Sequence, residues 1–404
     1  MSPHTNLMGQ MKTQCSKSWT DVNVDFKNRL IRHCCKAEPY TFPDEIGLSF
    51  LEKSTFLDNS PQIQKRRQDT LNGVQHSDCS ACWRDINSGQ GAYKDWMNKW
   101  DDDAFNSRDL TKPHVNYIDI ELDNTCDLSC LYCSSLCSSK IAQEEGVAVI
   151  DNTRQQDITN FMTWFDELAS TTTEEVTVNF LGGEPTASKL FYELVDFIKT
   201  TIQKYPKFDV CIEVCTNCNS KPFLMDKLLA AMDNSTATWA ITISNESYGA
   251  DSELIRYGLD WKRFVHNFNR YVAHPRVSSI TLAPTLNAFN LPSFAQYICF
   301  AHTQLASKKK NWGWVGSHVT WPNVLDIKYL PDEYKQYIVN AQLVLDLDKN
   351  NDRFRNYERF SNFLSQMTAR IGSEFNPNYK ENLQQFIDEK QRVKQTDKLN
   401  RLIL

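Results

Sequence analysis

From residue 113 onward the apolar positions follow two alternating periods. Short runs rich in β-branched and aromatic residues predict strands at 115–122, 175–181, 208–215, 238–244, 279–286 and 316–321. Between them, apolar residues recur at three- and four-residue spacing and predict helices at 153–169, 188–204, 223–232, 261–272 and 292–306. Strand–helix alternation of this kind is how a mostly parallel α/β sheet is written in a sequence, because a parallel neighbour requires a crossover that returns the chain to the same end. Six strands with right-handed crossovers curl into an open, partial (β/α)6 barrel, whose chemistry-bearing side chains sit on the loops that follow the strand C-termini.

The flanks differ. Residues 1–112 are polar and irregular and carry Cys15, Cys34, Cys35, Cys79 and Cys82. Short elements bury little apolar area alone, so this segment is expected to need a metal staple. Beyond 330 the pattern is helical and charged, with helices expected at 332–347, 355–371 and 379–393. The expected organisation is a cysteine-rich module over 1–112, a partial barrel over 113–330 and a helical extension over 331–404. The runs Asp101-Asp102-Asp103 and Lys308-Lys309-Lys310 read as solvated loops.

Composition narrows the function. The 404 residues are 41% hydrophobic and 12% aromatic, enough to fold. A net charge of −6 gives no basic footprint and argues against nucleic acid as a partner. The start, Met1-Ser2-Pro3-His4, shows no targeting pattern, and no 18 apolar residues run together, so a cytoplasmic chain without membrane contact is expected. Nine of the thirteen cysteines lie in the first 140 residues, in two groups. An odd number cannot all pair, and a reducing compartment disfavours disulfides, which leaves metal or cluster ligation.

After the first predicted strand comes Cys126-Asp127-Leu128-Ser129-Cys130-Leu131-Tyr132-Cys133, a C-x3-C-x2-C run. Three thiolates on a short loop can hold a cubane with one iron left open to a ligand. The same residues, with Cys137 as a fourth ligand, could bind a structural zinc. After the second strand stands Leu181-Gly182-Gly183-Glu184-Pro185-Thr186, where glycine lets backbone approach a ligand closely.

The cysteine run with Tyr132 at its aromatic place, and the Gly-Gly-Glu-Pro step about fifty residues later, resemble the radical S-adenosylmethionine (SAM) superfamily. The resemblance implies that Cys126, Cys130 and Cys133 hold a 4Fe-4S cluster. Its open iron would chelate SAM and cleave it reductively to a 5′-deoxyadenosyl radical. Tyr132, Gly182, Gly183, Glu184 and Pro185 fall to SAM binding on the same grounds. Cys215-Thr216-Asn217 resembles the superfamily's Thr-Asn step, with Cys218 where glycine is common, and Ser244 with Glu246 resembles an element that holds the ribose. Arg256 is a candidate for the SAM carboxylate, because guanidinium geometry suits carboxylates.

Upstream, Cys15-x3-Trp19, Cys34-Cys35 and Cys79-x2-Cys82-Trp83 can close a four-thiolate site for zinc or a second cluster. Their order resembles a twitch or SPASM-like module placed ahead of the barrel. That resemblance implies an auxiliary 4Fe-4S cluster on Cys15, Cys34 or Cys35, Cys79 and Cys82. It also implies flavodoxin or ferredoxin as electron donor, and a peptide or protein substrate, with small-molecule or nucleoside chemistry as the alternative. A reading of another class is a non-catalytic zinc-binding interaction protein. Cys211, Cys215 and Cys299 are expected to be small buried residues, and Cys137 and Cys218 to lie on loops near the active face.

Overall fold

The structure, a computed structural model, describes residues 15–42, 56–87, 107–148 and 151–402. The expectation for Asp101-Asp102-Asp103 lies outside them. Two compact units emerge, one drawn from Met1–Leu122, Ile150–Phe180 and Asp196–Cys211, the other from Asp123–Val149, Leu181–Val195 and Ile212–Leu404.

The first unit contains β1 (Asp21–Asp25), β2 (Leu30–Arg32), β3 (Tyr40–Thr41), β4 (Tyr117–Glu121) and β5 (Val176–Leu181), in the order β3-β2-β1-β4-β5. The polar N-terminal segment thus holds strands that its sequence did not announce. β1 pairs in parallel with β4, placing Val22 opposite Ile118 and Val24 opposite Ile120, and β2 turns back antiparallel to β1. All four of these side chains are buried, as are Val176, Val178 and Phe180 of β5. The helix Gln155–Thr171 covers this layer through Phe161 and Phe165, and Phe161 meets Phe26 edge-on at 5.7 Å. Aromatic pairs of this geometry add to the stabilisation from area burial alone.

The second unit contains β6 (Val210–Thr216), β7 (Thr238–Ile243), β8 (Val277–Leu282), β9 (Thr285–Leu286), β10 (Asn311–Trp314), β11 (Ser317–His318) and β12 (Phe354–Arg355). Its main sheet runs β6-β7-β8-β10-β12, and β9 pairs in parallel with β11 as a separate ribbon. β7, β8, β10 and β12 are parallel neighbours, with Ile280 opposite Ile241 on one side and Trp312 on the other. Helices alternate with the strands, including Pro222–Asp233, Trp261–Ala273 and Leu291–Leu305. Asp260 caps the second of these by accepting from Arg263 N at 3.0 Å. The architecture is mixed α/β, with the strand–helix succession expected of a (β/α)6 core.

The last expected core strand is displaced. It was predicted at 316–321 and lies at Asn311–Trp314, because Trp312 and Trp314 are both buried, stacked on Phe354 at 4.5 Å and on Phe360 at 5.1 Å. Lys310 is also no free solvated residue, since its Nζ donates to the carbonyls of His274 and Val277. The C-terminal extension is helical, with Lys335–Leu345, Tyr357–Arg370 and Tyr379–Lys394. Among the described residues no helix is long and apolar enough to cross a membrane.

Candidate functional sites

The cysteine run follows β4 as a loop with almost no secondary structure of its own, so neighbouring chain must fix it. Ser129 N donates to Tyr257 O at 2.8 Å and Leu131 N to Ile255 O at 2.9 Å, clamping the run against the stretch that carries Arg256. The Asp127 carboxylate accepts from Asn217 Nδ2 at 2.9 Å and Asn219 Nδ2 at 3.0 Å, which ties the loop to the end of β6. Below it, Ser138 caps the helix Ser139–Glu145 at Ile141 N and donates to Leu128 O at 2.6 Å.

The Gly182-Gly183-Glu184-Pro185 turn packs on the start of the same loop. Gly183 N donates to Asp123 O at 2.9 Å and Glu184 N to Thr125 O at 2.7 Å. A Cβ on Gly183 would stand 2.4 Å from Thr125 O and 2.7 Å from Asn124 C, so only glycine fits. Glu184 is buried, and all its donors are internal. Its Oε1 accepts from Thr186 Oγ1 at 2.6 Å and Thr216 Oγ1 at 2.8 Å, and its Oε2 from Asn217 N at 2.7 Å. Burial raises its carboxyl to about 7 against these bonds. Glu184 therefore fastens the end of β6 to the glycine turn.

The half-buried Tyr132 joins the buried Glu246 and Arg256 in one group. Arg256 Nη2 and Nε donate to Glu246 Oε2 at 2.7 and 3.1 Å, Tyr132 donates to Oε1 at 3.0 Å, and the guanidinium lies 5.7 Å from the Tyr132 ring centre. Ser244 sits beside Cys215, Oγ to Sγ at 3.3 Å. Asn217 spends its amide on Asp127 and its backbone N–H on Glu184. Cys218 adopts φ +60°, the left-handed region glycine would take at this step, and its loop is held by Asn267 Nδ2 donating to Cys218 O at 3.2 Å.

The three thiols interact. Burial, then the neighbouring Cys130, pushes Cys126 up to about 12. Burial raises Cys130 to about 11, with Arg256 pulling the other way. Cys133 is raised by a hydrogen bond with Cys137 and then by burial. Thiols held protonated in this way give up their protons when a metal binds, because the thiolate is the ligand. The donor set and the glycine cradle fit a metal–sulfur cluster. Among the described residues no three His, Cys, Asp or Glu side chains converge on a point for one metal ion. A cubane instead takes each thiolate at a separate iron, so its ligands stand apart.

Several residues of this site carry no local sequence signal. Asn219 bridges Asp127 and Asp260 N. Lys394, 3% exposed at its side chain, donates to Ser129 Oγ and Glu144. Of the remaining cysteines, Cys218 is buried with its thiol raised by burial, Cys137 is exposed, and Cys211 and Cys215 are half-buried. Cys299 is exposed rather than buried, because it faces outward on the helix Leu291–Leu305.

The upstream cysteines gather within the first unit. Cys15, Cys34, Cys79 and Cys82 line one pocket of about 420 Å³, part of it open to solvent, while Cys35 is exposed. Cys15 stands just ahead of the short helix Lys17–Thr20 and Cys34 just after β2, while Cys79 ends the turn Ser77–Cys79 and Cys82 lies at the start of the helix Ser80–Asn87. Trp83 Nε1 donates to His76 O at 3.0 Å and holds that turn. Burial pushes the Cys15 thiol up to about 12, and the hydrogen bond with Cys35 draws Cys34 down to about 6.

No protein-family profile matches the chain, and no curated protein matches it. Among solved structures, it is similar to anSMEcpe with bound AdoMet, at 15% identity and TM-score 0.41, over 60% of this chain and 64% of that one. The chain thus spans less than two thirds of anSMEcpe, which has also been solved with AdoMet and the Kp18Cys peptide. It is likewise similar to SuiB of Streptococcus suis bound to S-adenosylmethionine, at 14% identity and TM-score 0.41, over 82% of this chain and 70% of that one.

Proposed function

We propose that this chain is a radical SAM enzyme. The observation that carries the reading is the lacing of the Cys126-Cys130-Cys133 loop to the Gly182-Gly183 turn, the end of β6 and the Ile255–Tyr257 backbone. A loop pinned on three sides holds its thiols in place before any metal arrives. Cys126, Cys130 and Cys133 would ligate a 4Fe-4S cluster. Bound there, the cluster supplies the electron that splits SAM into methionine and a 5′-deoxyadenosyl radical. Backbone at Gly182 and Gly183 is free of side chains and can face the SAM ammonium, with Pro185 opening the turn that follows. Ser244, on the half-buried end of β7, can face the ribose. Arg256 and Glu246, already paired, back the Cys130 thiol: the guanidinium lowers the cost of its thiolate. Asn217 and Glu184 position loops rather than ligand.

The four-cysteine pocket would hold an auxiliary 4Fe-4S cluster, with Cys34 rather than Cys35 as ligand because Cys34 lines the cavity. In this reading residues 1–112 serve as the auxiliary module, 113–330 as the catalytic core and 331–404 as the extension. A peptide or protein is the substrate, flavodoxin or ferredoxin the electron donor, and the cytoplasm the compartment. The zinc reading draws on one observation, the Cys133–Cys137 contact.

Anaerobic reconstitution separates the two. Iron in both sites with absorbance in the iron–sulfur band, and 5′-deoxyadenosine formed from SAM under strong reductant, are expected. Cys130→Ala should abolish that product while leaving the upstream site loaded. Zinc without iron would overturn the enzyme reading, and persisting product in Cys130→Ala would overturn the assignment of the loop.

A further inference from the structure

The four-cysteine pocket has a cationic lining. Beside its thiols its walls include Lys17, Lys36 and Arg66, and among the described residues no aspartate or glutamate. Lys17 is ion-paired with Asp21. Among the described residues Arg66 has no such ion pair. It projects from the helix Pro61–Leu71, is 3% exposed, and its Nε has no hydrogen-bond partner among the described residues.

A buried donor of a cation that lacks an acceptor is costly. The guanidinium already hydrogen-bonds the Cys79 thiol, and its Nε–H is left without an acceptor among the described residues. Metal–tetrathiolate groups are anionic, and their sulfurs accept charge-assisted hydrogen bonds. We infer that Arg66 is the positioning residue of this site. Its Nε–H donates to a sulfur of the metal–thiolate group that Cys15, Cys34, Cys79 and Cys82 take up, and its charge raises that group's reduction potential. The inference rests on the reading of the pocket as an iron–sulfur site. It follows physically because net charge and hydrogen bonds to sulfur set cluster potentials.

The test uses the full chain with Cys126, Cys130 and Cys133 all changed to alanine, so that the upstream site alone is reconstituted. Iron content, the electron paramagnetic resonance spectrum of the reduced form and the midpoint potential are measured for this parent and for Arg66→Gln, Arg66→Met and Arg66→Lys. Both neutral variants should shift the reduction equilibrium about tenfold toward the oxidised form, which is about 59 mV for a one-electron couple. Arg66→Lys, which keeps the charge, should recover most of that shift. An unchanged potential in an iron-loaded neutral variant overturns the role of Arg66 alone. A parent that takes up no iron overturns the iron–sulfur reading and this inference with it.

Discussion

Lys394 Nζ lies 2.7 Å from Ser129 Oγ, a residue 265 positions earlier and next to Cys130. The same ammonium donates to Glu144 at 2.9 Å and sits 5.1 Å from the Tyr257 ring centre. The end of the helix Tyr379–Lys394 is thus bonded to the cysteine loop. Burial lowers the lysine's pKa, with Glu144 opposing the shift. Lys394→Met should leave Ser129 and Glu144 short of a donor, at about 1–3 kcal/mol for a buried group left unsatisfied. Thermal melting should show the loss, and iron retention at the Cys126-Cys130-Cys133 site should fall with it. A variant as stable and as well loaded as the parent would disprove the coupling.

Gly183→Ala should be among the most damaging single changes. The clash is with backbone atoms of Thr125 and Asn124, which cannot rotate away as a side chain would. The turn or the start of the cysteine loop must shift. We expect overpacking of about 1–3 kcal/mol, together with loss of SAM affinity in equilibrium binding. Gly146→Ala, with open space at its Cβ but φ +66°, is the control: strain without contact with the loop.

Arg256→Met would strand Glu246, which has no solvent exposure, with Tyr132 as its one remaining side-chain donor among the described residues. Breaking a buried pair by removing one partner costs about 3–5 kcal/mol. The double variant Arg256→Met with Glu246→Gln should recover much of that loss in denaturant unfolding, since neither charge remains. Recovery of stability without recovery of 5′-deoxyadenosine formation would separate the structural part of Arg256 from its influence on Cys130.

Asp58 supplies a pH dependence. Burial raises its carboxyl to about 6 against the hydrogen bond from Trp164 Nε1 at 2.8 Å. The folded chain therefore binds this proton more tightly than the unfolded chain does. Its contribution is fully present below about pH 4 and is lost as pH rises through 6. The shift corresponds to at most about 3 kcal/mol. Asp58→Asn stays neutral, so between pH 4 and 6 the parent should lose stability relative to the variant. Parallel curves of unfolding midpoint against pH would refute this.

Sequence pattern located the core elements because their apolar periods are long and their stops local. The helix expected at 261–272 is Trp261–Ala273, and the strand expected at 175–181 is Val176–Leu181. It misplaced the strand at Asn311–Trp314, where two tryptophans flank a glycine and the lysines ahead of them read as solvent. It also passed over β1, whose Asp21, Asn23 and Asp25 alternate with Val22 and Val24 in too short a run to stand out. At the cysteine loop the ligand candidates were legible, since their spacing is local. What holds the loop was not, because Asn219, Tyr257 and Lys394 meet it only through long-range packing, which leaves no trace in neighbouring residues.

The parallel pairing of β1 with β4 bears on how the chain could be cut. Both flanks of β4 are occupied, and one of them is filled from ahead of residue 112. A version beginning at 113 would lay bare a row of unsatisfied amides and carbonyls on the strand leading into the cysteine loop. Such a rim invites pairing with other molecules. A chain trimmed to begin there would then be an aggregating species, and swapping N-terminal segments between relatives would succeed only if the donor carried a strand able to fill that gap.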